Sequence, residues 1–140
     1  MKKVLMSLLA ISLAFILTGC GNDTLTCTMS ESEDGMQTSQ ELKVNFSKDE
    51  VSKVNLKMDF TVGDEYSDYM SFYKNLLESQ FEDVTDNGGK VDVTQEGNTL
   101  KLDLSIDMND LSEEQKTNLD LSGTKESVRS QLEEEGYTCK

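Results

Sequence analysis

The stretch VSKVNLKMDFTV, Val51 to Val62, decides the fold. Val54, Leu56, Met58, Phe60 and Val62 alternate with Asn55, Lys57, Asp59 and Thr61. Successive strand residues point to opposite faces, so a period of two kept this long describes a strand with one buried and one wet face. Thr99 to Met108 repeats the pattern, with Leu100, Leu102, Leu104, Ile106 and Met108 on one side and Lys101, Asp103, Ser105 and Asp107 on the other. Upstream, Leu42, Val44 and Phe46 alternate with Lys43 and Asn45 in a strand that starts near Met36. Leu25, Cys27 and Met29 share a face of a first strand, Leu25 to Ser30. Asp34-Gly35 and the four residues Ser47–Glu50 read as the turns between these strands, and Gly63-Asp64 ends the third. Asp86-Asn87-Gly88-Gly89 is another turn, after which Val91 and Val93 open a second hairpin that reverses at Glu96-Gly97-Asn98.

A sheet with one apolar face needs a cover. The spacing of Tyr66, Tyr69, Met70, Tyr73, Leu76, Leu77 and Phe81 predicts one amphipathic helix from about Glu65 to Phe81. Its polar side carries Ser67, Ser71, Lys74, Asn75 and Glu78, and Asp64, Glu65 and Asp68 suit the positive end of the helix dipole. The tyrosines and Met70 are expected in the core or at its edge. Ser112-Glu113-Glu114-Gln115 has capping-box spacing and predicts a short helix, followed by extended or irregular chain at Leu119-Asp120-Leu121. A last helix is predicted from Thr124 to Glu135, with Val128 and Leu132 inward and Gly136 as its stop, before a short strand at Tyr137-Thr138-Cys139. Strands and helices do not alternate regularly. The expected fold is therefore a single α+β domain, an antiparallel sheet of about five or six strands with helices packed on one face.

The N-terminus has a different character. Lys2 and Lys3 precede an apolar run, Val4 to Leu17, that ends in Leu17-Thr18-Gly19-Cys20. A basic start, a short apolar middle and small residues before a cut mark a secretory signal, and the run falls short of the about 20 residues that span a bilayer. The final four residues resemble the lipobox of bacterial lipoproteins. That resemblance implies a signal peptide at residues 1–19, with Leu17, Thr18 and Gly19 read by the signal peptidase and Cys20 diacylated as the first mature residue. Residues 20–23 would form the lipidated Cys and a short tether, and 24–140 the domain. Two acyl chains suffice for stable anchoring. The implied location is the extracytoplasmic face of a cell-envelope membrane, reached through the lipid on Cys20.

Removing the 19 leader residues from 140 leaves 121, enough for one domain with a modest core. The leader takes two lysines with it, so the net charge falls from −14 to −16. Such a surface repels nucleic acid and anionic headgroups, and attracts cations and basic partners diffusely. With Cys20 lipidated, Cys27 and Cys139 remain, one near each end of the domain. Outside the cytoplasm such a pair stays oxidised, and a structural disulfide is the favoured reading. Two separate buried thiols or a redox-active pair are the alternatives.

Taken together, the lipobox, paired long strands, central helix, second hairpin and C-terminal helix ending Glu135-Gly136-Tyr137 resemble the small bacterial lipoproteins of the YehR-like group. The Cys27 and Cys139 pair is not part of that resemblance. The resemblance implies no activity and transfers no functional residue.

Catalytic chemistry finds little foothold. Histidine is absent, which removes Ser-His and Cys-His nucleophiles and the commonest zinc ligand. Arg129 is the only arginine, so a bidentate phosphate clamp is not expected. Asp83, Asn87 and Gly88 fall at positions one, five and six of a calcium loop, but Thr85 and Thr94 stand at three and twelve, and the segment reads as a turn. Asp59, Asp103 and Asp107 share the wet sheet face, where paired carboxylates could act as acid and base; with Lys57 and Lys101 between them they read as a solvated surface. No catalytic residue, metal ligand or cofactor is expected. The expectation is a monomeric, membrane-anchored, non-catalytic module that binds a protein or small molecule, not nucleic acid, through its wet sheet face or a sheet edge. The rivals are an acidic divalent-cation-binding lipoprotein and a thiol–disulfide protein using Cys27 and Cys139.

Overall fold

Two tight turns set the first half of the chain. Asp34 and Gly35 have φ of 47° and 80°, and Lys48 and Asp49 have 52° and 63°. Two successive positive φ values match the twist of the flanking strands, so each pair closes a two-residue hairpin. In the computed structural model, which describes residues 23–119 and 122–140, the three strands they join are β1 (Asp23–Glu33), β2 (Met36–Ser47) and β3 (Glu50–Val62). The strands are longer, and the second turn shorter, than the sequence predicts. The reason is the left-handed Lys48-Asp49 pair, which lets Ser47 and Glu50 already pair with each other. Asp23, assigned by sequence to the tether, is the first residue of β1, opposite Phe46.

The second half adds a hairpin, β4 (Lys90–Glu96) and β5 (Thr99–Asp107), and a short β6 (Thr138–Cys139). All pairings are antiparallel, and the six-stranded sheet has the order β4-β5-β3-β2-β1-β6. The α+β expectation holds. Register aligns the apolar positions across the sheet: Leu25 faces Val44, Val44 faces Val54, and Val54 faces Ile106. Among the described residues Leu25, Leu100, Leu102 and Cys27 are fully buried.

The predicted central helix is divided. Asp64–Tyr69 is a 3-10 helix, α1 runs Met70–Gln80, and α2 runs Glu82–Asp86. The Ser67 hydroxyl donates to the Asp64 carbonyl at 2.8 Å, a bond three residues back that favours the tighter winding. Asn98 donates to the Asp64 carboxylate at 2.7 Å and pins this turn to the β4–β5 reversal. Further on, α3 (Glu113–Leu119) carries the predicted capping box in full: the Ser112 hydroxyl accepts from the Gln115 amide at 3.2 Å, and Gln115 Oε1 accepts from the Ser112 amide at 2.8 Å. Leu119 is the last residue of α3, and the expectation for Asp120 and Leu121 lies outside the described residues. The final helix, α4 (Lys125–Glu134), ends in a Schellman motif, with Gly136 at φ 100° and the Tyr137 amide donating to the Leu132 carbonyl at 3.0 Å.

All helices pack on the apolar sheet face. One core cluster gathers Leu25, Cys27, Val44, Phe46, Val54, Leu102, Leu104 and Ile106 under Val84, Leu111, Val128 and Leu132. A second, smaller cluster of Val62, Met70 and Leu100 sits under α1 with Phe60, Tyr66 and Tyr73. Among the described residues no helix is long and apolar enough to cross a membrane.

Candidate functional site

Geometry leaves part of the sheet uncovered. Strands lie about 4.8 Å apart and a helix is about 10 Å wide, so each helix shields about two strands. Helix α1 lies against β4, while α4 lies against β1 and β6. Between them the apolar face of β2 and β3 stays partly open. The result is a groove of about 210 Å³, floored by Thr38, Met58, Phe60 and Leu100 and walled by Tyr73, Leu76, Leu77 and Gln80. Phe60 and Tyr73 meet edge to face at 5.6 Å, and Phe72 meets Tyr73 at 5.9 Å.

Helix α1 thus carries two apolar stripes. Met70 is buried and Tyr73 and Leu77 half-buried against the sheet, as amphipathic spacing requires. A second stripe points outward: Tyr69 is 58 % exposed, Phe72 62 % and Leu76 48 %. Positions three and four apart share a helix flank, so Tyr69, at the N-cap, and Phe72 fall on the same side as Leu76, which lines the groove. The expectation that Tyr69 sits in the core or at its edge, and that Leu76 belongs to the covered apolar stripe, is corrected here. A helix leans only about a third of its circumference on a sheet, and this one has apolar residues around more of it. The predicted apolar face omits Phe72; with it, the apolar arc is too wide for a single buried stripe.

On the β1 side of the groove floor, the chain just after α4 reaches β2. The Tyr137 hydroxyl donates to the Gln40 side-chain carbonyl, and Gln40 pairs with Met58 of the floor. Glu31 stands opposite Thr38, and Glu33 opposite Met36, on this same face. Burial and the nearby carboxylates of Glu135 and Glu31 push the Tyr137 hydroxyl pKa above the usual phenol range. A larger depression of about 410 Å³, lined by Ser122, Gln131, Glu134 and Glu135, is polar and offers no apolar floor.

The wet sheet face is different. Lys53 stands opposite Asp107, Lys57 opposite Asp103, and Lys101 opposite Asp59, so the three carboxylates singled out by sequence each have a cation across the sheet. Lys101 also reaches Glu96 at 2.6 Å, which raises the lysine pKa. These three carboxylates are thus paired with lysines, although Asp92 also stands opposite Asp103. Asp83 and Asn87 belong to α2 and its C-cap, where Asn87 Nδ2 donates to the Asp83 carbonyl at 2.7 Å. Among the described residues no group of three or more Cys, Asp or Glu converges as metal ligands.

Cys27 and Cys139 form a disulfide with Cα atoms 4.0 Å apart. The ladder explains the close approach. Thr26 and Lys140 exchange both backbone hydrogen bonds, so the neighbouring Cys27–Cys139 pair is a non-hydrogen-bonded one, where strands come nearest. The half-cystine at 27 is 0 % exposed. Leu17, Thr18, Gly19 and Cys20 lie outside the described residues.

Scanned against protein-family models and curated proteins, the chain matches none. Two solved structures share its fold. An NMR structure of a protein from Streptococcus pneumoniae TIGR4 is 18% identical, covering 100% of this chain and 96% of that one, with a TM-score of 0.54. The NMR structure of the Escherichia coli YehR protein is 11% identical, covering 85% of this chain and 92% of that one, with a TM-score of 0.59. The second agrees with the YehR-like layout read from the sequence. At these identities the likeness is one of fold, and neither protein is described by an activity.

Proposed function

We propose that this chain is a non-catalytic binding module, lipid-anchored through Cys20 at the extracytoplasmic face of a cell-envelope membrane, and that the groove beside α1 is its binding surface. One observation carries the binding site: Leu76 lines an apolar groove, with Tyr69 and Phe72 exposed on the same flank of the helix. Folding gains nothing from apolar groups left in water, and a contiguous exposed apolar patch marks an interaction site. On this reading the surface lies on the helix side of the sheet, whereas the sequence points to the wet face or a sheet edge. The anchor rests on the lipobox, and a buried disulfide fits an oxidising compartment.

Two measurements test the two parts. Intact mass of protein extracted from membranes should show a chain that starts at a diacylglyceryl Cys20; a chain starting at an unmodified Met1 refutes the anchor. Nile red, a neutral apolar dye, should brighten on the folded protein and lose that response in Phe72→Ser/Leu76→Ser. An undiminished response in the double variant refutes the groove.

A further inference from the structure

We infer that the groove receives a basic amphipathic peptide segment, its apolar side chains laid along Tyr69, Phe72 and Leu76 and its lysines or arginines against the carboxylates at the groove's open end. This inference rests on the groove being the binding surface, and names the partner class. Charge is sorted between the two faces of the sheet. Lys43, Lys53, Lys57, Lys90 and Lys101 all project to the wet face, by register with Asn55, Asp107, Asp103, Ser105 and Asp59. The charged strand residues on the groove face are all acidic: Asp23, Glu31 and Glu33. Asp23 is held by Lys125, but Glu31 and Glu33 are exposed beside Thr38 and Met36. The lysine of α1, Lys74, pairs with Glu78 at 3.7 Å and lies outside the groove lining.

A low-dielectric floor beside carboxylates focuses a negative potential, which draws cations and rejects anions. The shape adds a second constraint. Thr38 and Gln80 are polar members of an otherwise apolar lining, placed to hydrogen-bond a backbone or amide. An apolar groove is the shape that takes the apolar face of an amphipathic segment. Other occupants fit less well. A second copy related by a two-fold axis would bring one acidic rim onto another, a repulsive contact. The anchoring bilayer is at the wrong end: Cys20 is three residues from Asp23, whereas Glu31 lies about 26 Å farther along β1 at the rise of an extended strand.

The test uses the mature lipidated protein in nanodiscs of neutral phosphatidylcholine, with empty nanodiscs as the background. Fluorescence anisotropy is read for three labelled peptides of equal length and apolar pattern, whose polar positions are all lysine, all glutamine or all glutamate. The lysine peptide should bind at least about tenfold more tightly than the glutamine peptide, and the glutamate peptide more weakly still. Phe72→Ser/Leu76→Ser should weaken the lysine peptide about tenfold or more, and Glu31→Gln/Glu33→Gln should narrow the gap between lysine and glutamine peptides. All four positions are exposed, and circular dichroism confirms that both variants fold. Equal binding of the three peptides, all lost in Phe72→Ser/Leu76→Ser, refutes the basic partner and leaves the groove standing. Failure of every peptide, with Nile red indifferent to the same substitutions, refutes both. A concentration-dependent dimer that the double variant abolishes makes a second copy the occupant and overturns the inference.

Discussion

The disulfide offers the sharpest quantitative test of how this domain is held together. Its half-cystines are 112 residues apart, so the bridge closes almost the whole described chain into one loop. Closing such a loop removes about 16 cal/mol/K from the unfolded ensemble in the chain-entropy account, which is about 4.8 kcal/mol at 25 °C. Replacing both with alanine, Cys27→Ala/Cys139→Ala, also removes a fully buried sulfur, worth about 1 kcal/mol more. Against a typical domain stability of 5–15 kcal/mol, a total loss of about 5–6 kcal/mol is a large fraction. At about 0.25 kcal/mol per degree for a chain of this size, the Tm should fall by about 20 °C. The assay is urea unfolding followed by far-ultraviolet circular dichroism, since the chain has no tryptophan. The urea slope should also rise, because an unbridged unfolded chain exposes more surface. Native-state hydrogen exchange supplies the control. If the bridge acts mainly on the unfolded chain, the Thr26 and Lys140 amides, which bond to each other's carbonyls at 3.2 and 2.9 Å, stay protected relative to the variant's lower global stability. A stability loss under about 1.5 kcal/mol with an unchanged slope, and collapse of protection at those two amides, would refute the reasoning and reduce the bridge to a local clamp on β6.

Two further perturbations probe the packing around the groove and the core. Gly89 is buried, and a Cβ there would sit 2.5 Å from Val84 Cγ1, 2.9 Å from the Val84 carbonyl oxygen and 3.2 Å from Ile106 Cγ1. Gly89→Ala should therefore cost about 1–3 kcal/mol by overpacking; an unchanged urea midpoint would show that α2 shifts freely. Tyr137 has a folded-state pKa above its unfolded one, so the folded protein holds the phenol proton more tightly, and this contribution is present below the ordinary tyrosine pKa. It is lost as pH rises through the folded pKa. The urea midpoint should drop across the alkaline range in the wild type, and drop less in Tyr137→Phe; parallel pH profiles would contradict this.

Much of the architecture is legible in particular residues. Alternation in Val51–Val62 and Thr99–Met108 marks β3 and β5, because a strand with one buried face has no other pattern available. Gly136 announces the end of α4, and Ser112 with Gln115 the start of α3, since caps depend on local backbone donors and acceptors alone. The limits of α1 were less legible. Periodicity runs unbroken from Tyr66 to Phe81, while the division at Met70 depends on the Ser67–Asp64 bond and on Asn98 reaching over from the β4–β5 reversal. The lengths of β1 and β2 likewise exceed their apolar cores, because backbone pairing continues through polar residues once a two-residue turn has set the register.

The sequence by itself determined which strand residues face the core and which face water, the acidic character of the chain, and the favoured reading of Cys27 and Cys139 as a bridge between the two ends of the domain. These are local properties: side-chain period, turn chemistry and composition. Only the tertiary structure decided that β5 pairs with β3, that β6 returns to β1 and brings the two half-cystines to 4.0 Å, and that the lysines of the sheet and its groove-side carboxylates part to opposite faces. It also decided where the groove is. Periodicity says that a helix packs on a sheet, but not how much of the sheet the helices cover. That follows from their width, and here two helices set toward opposite edges leave β2 and β3 partly open beside Phe72 and Leu76.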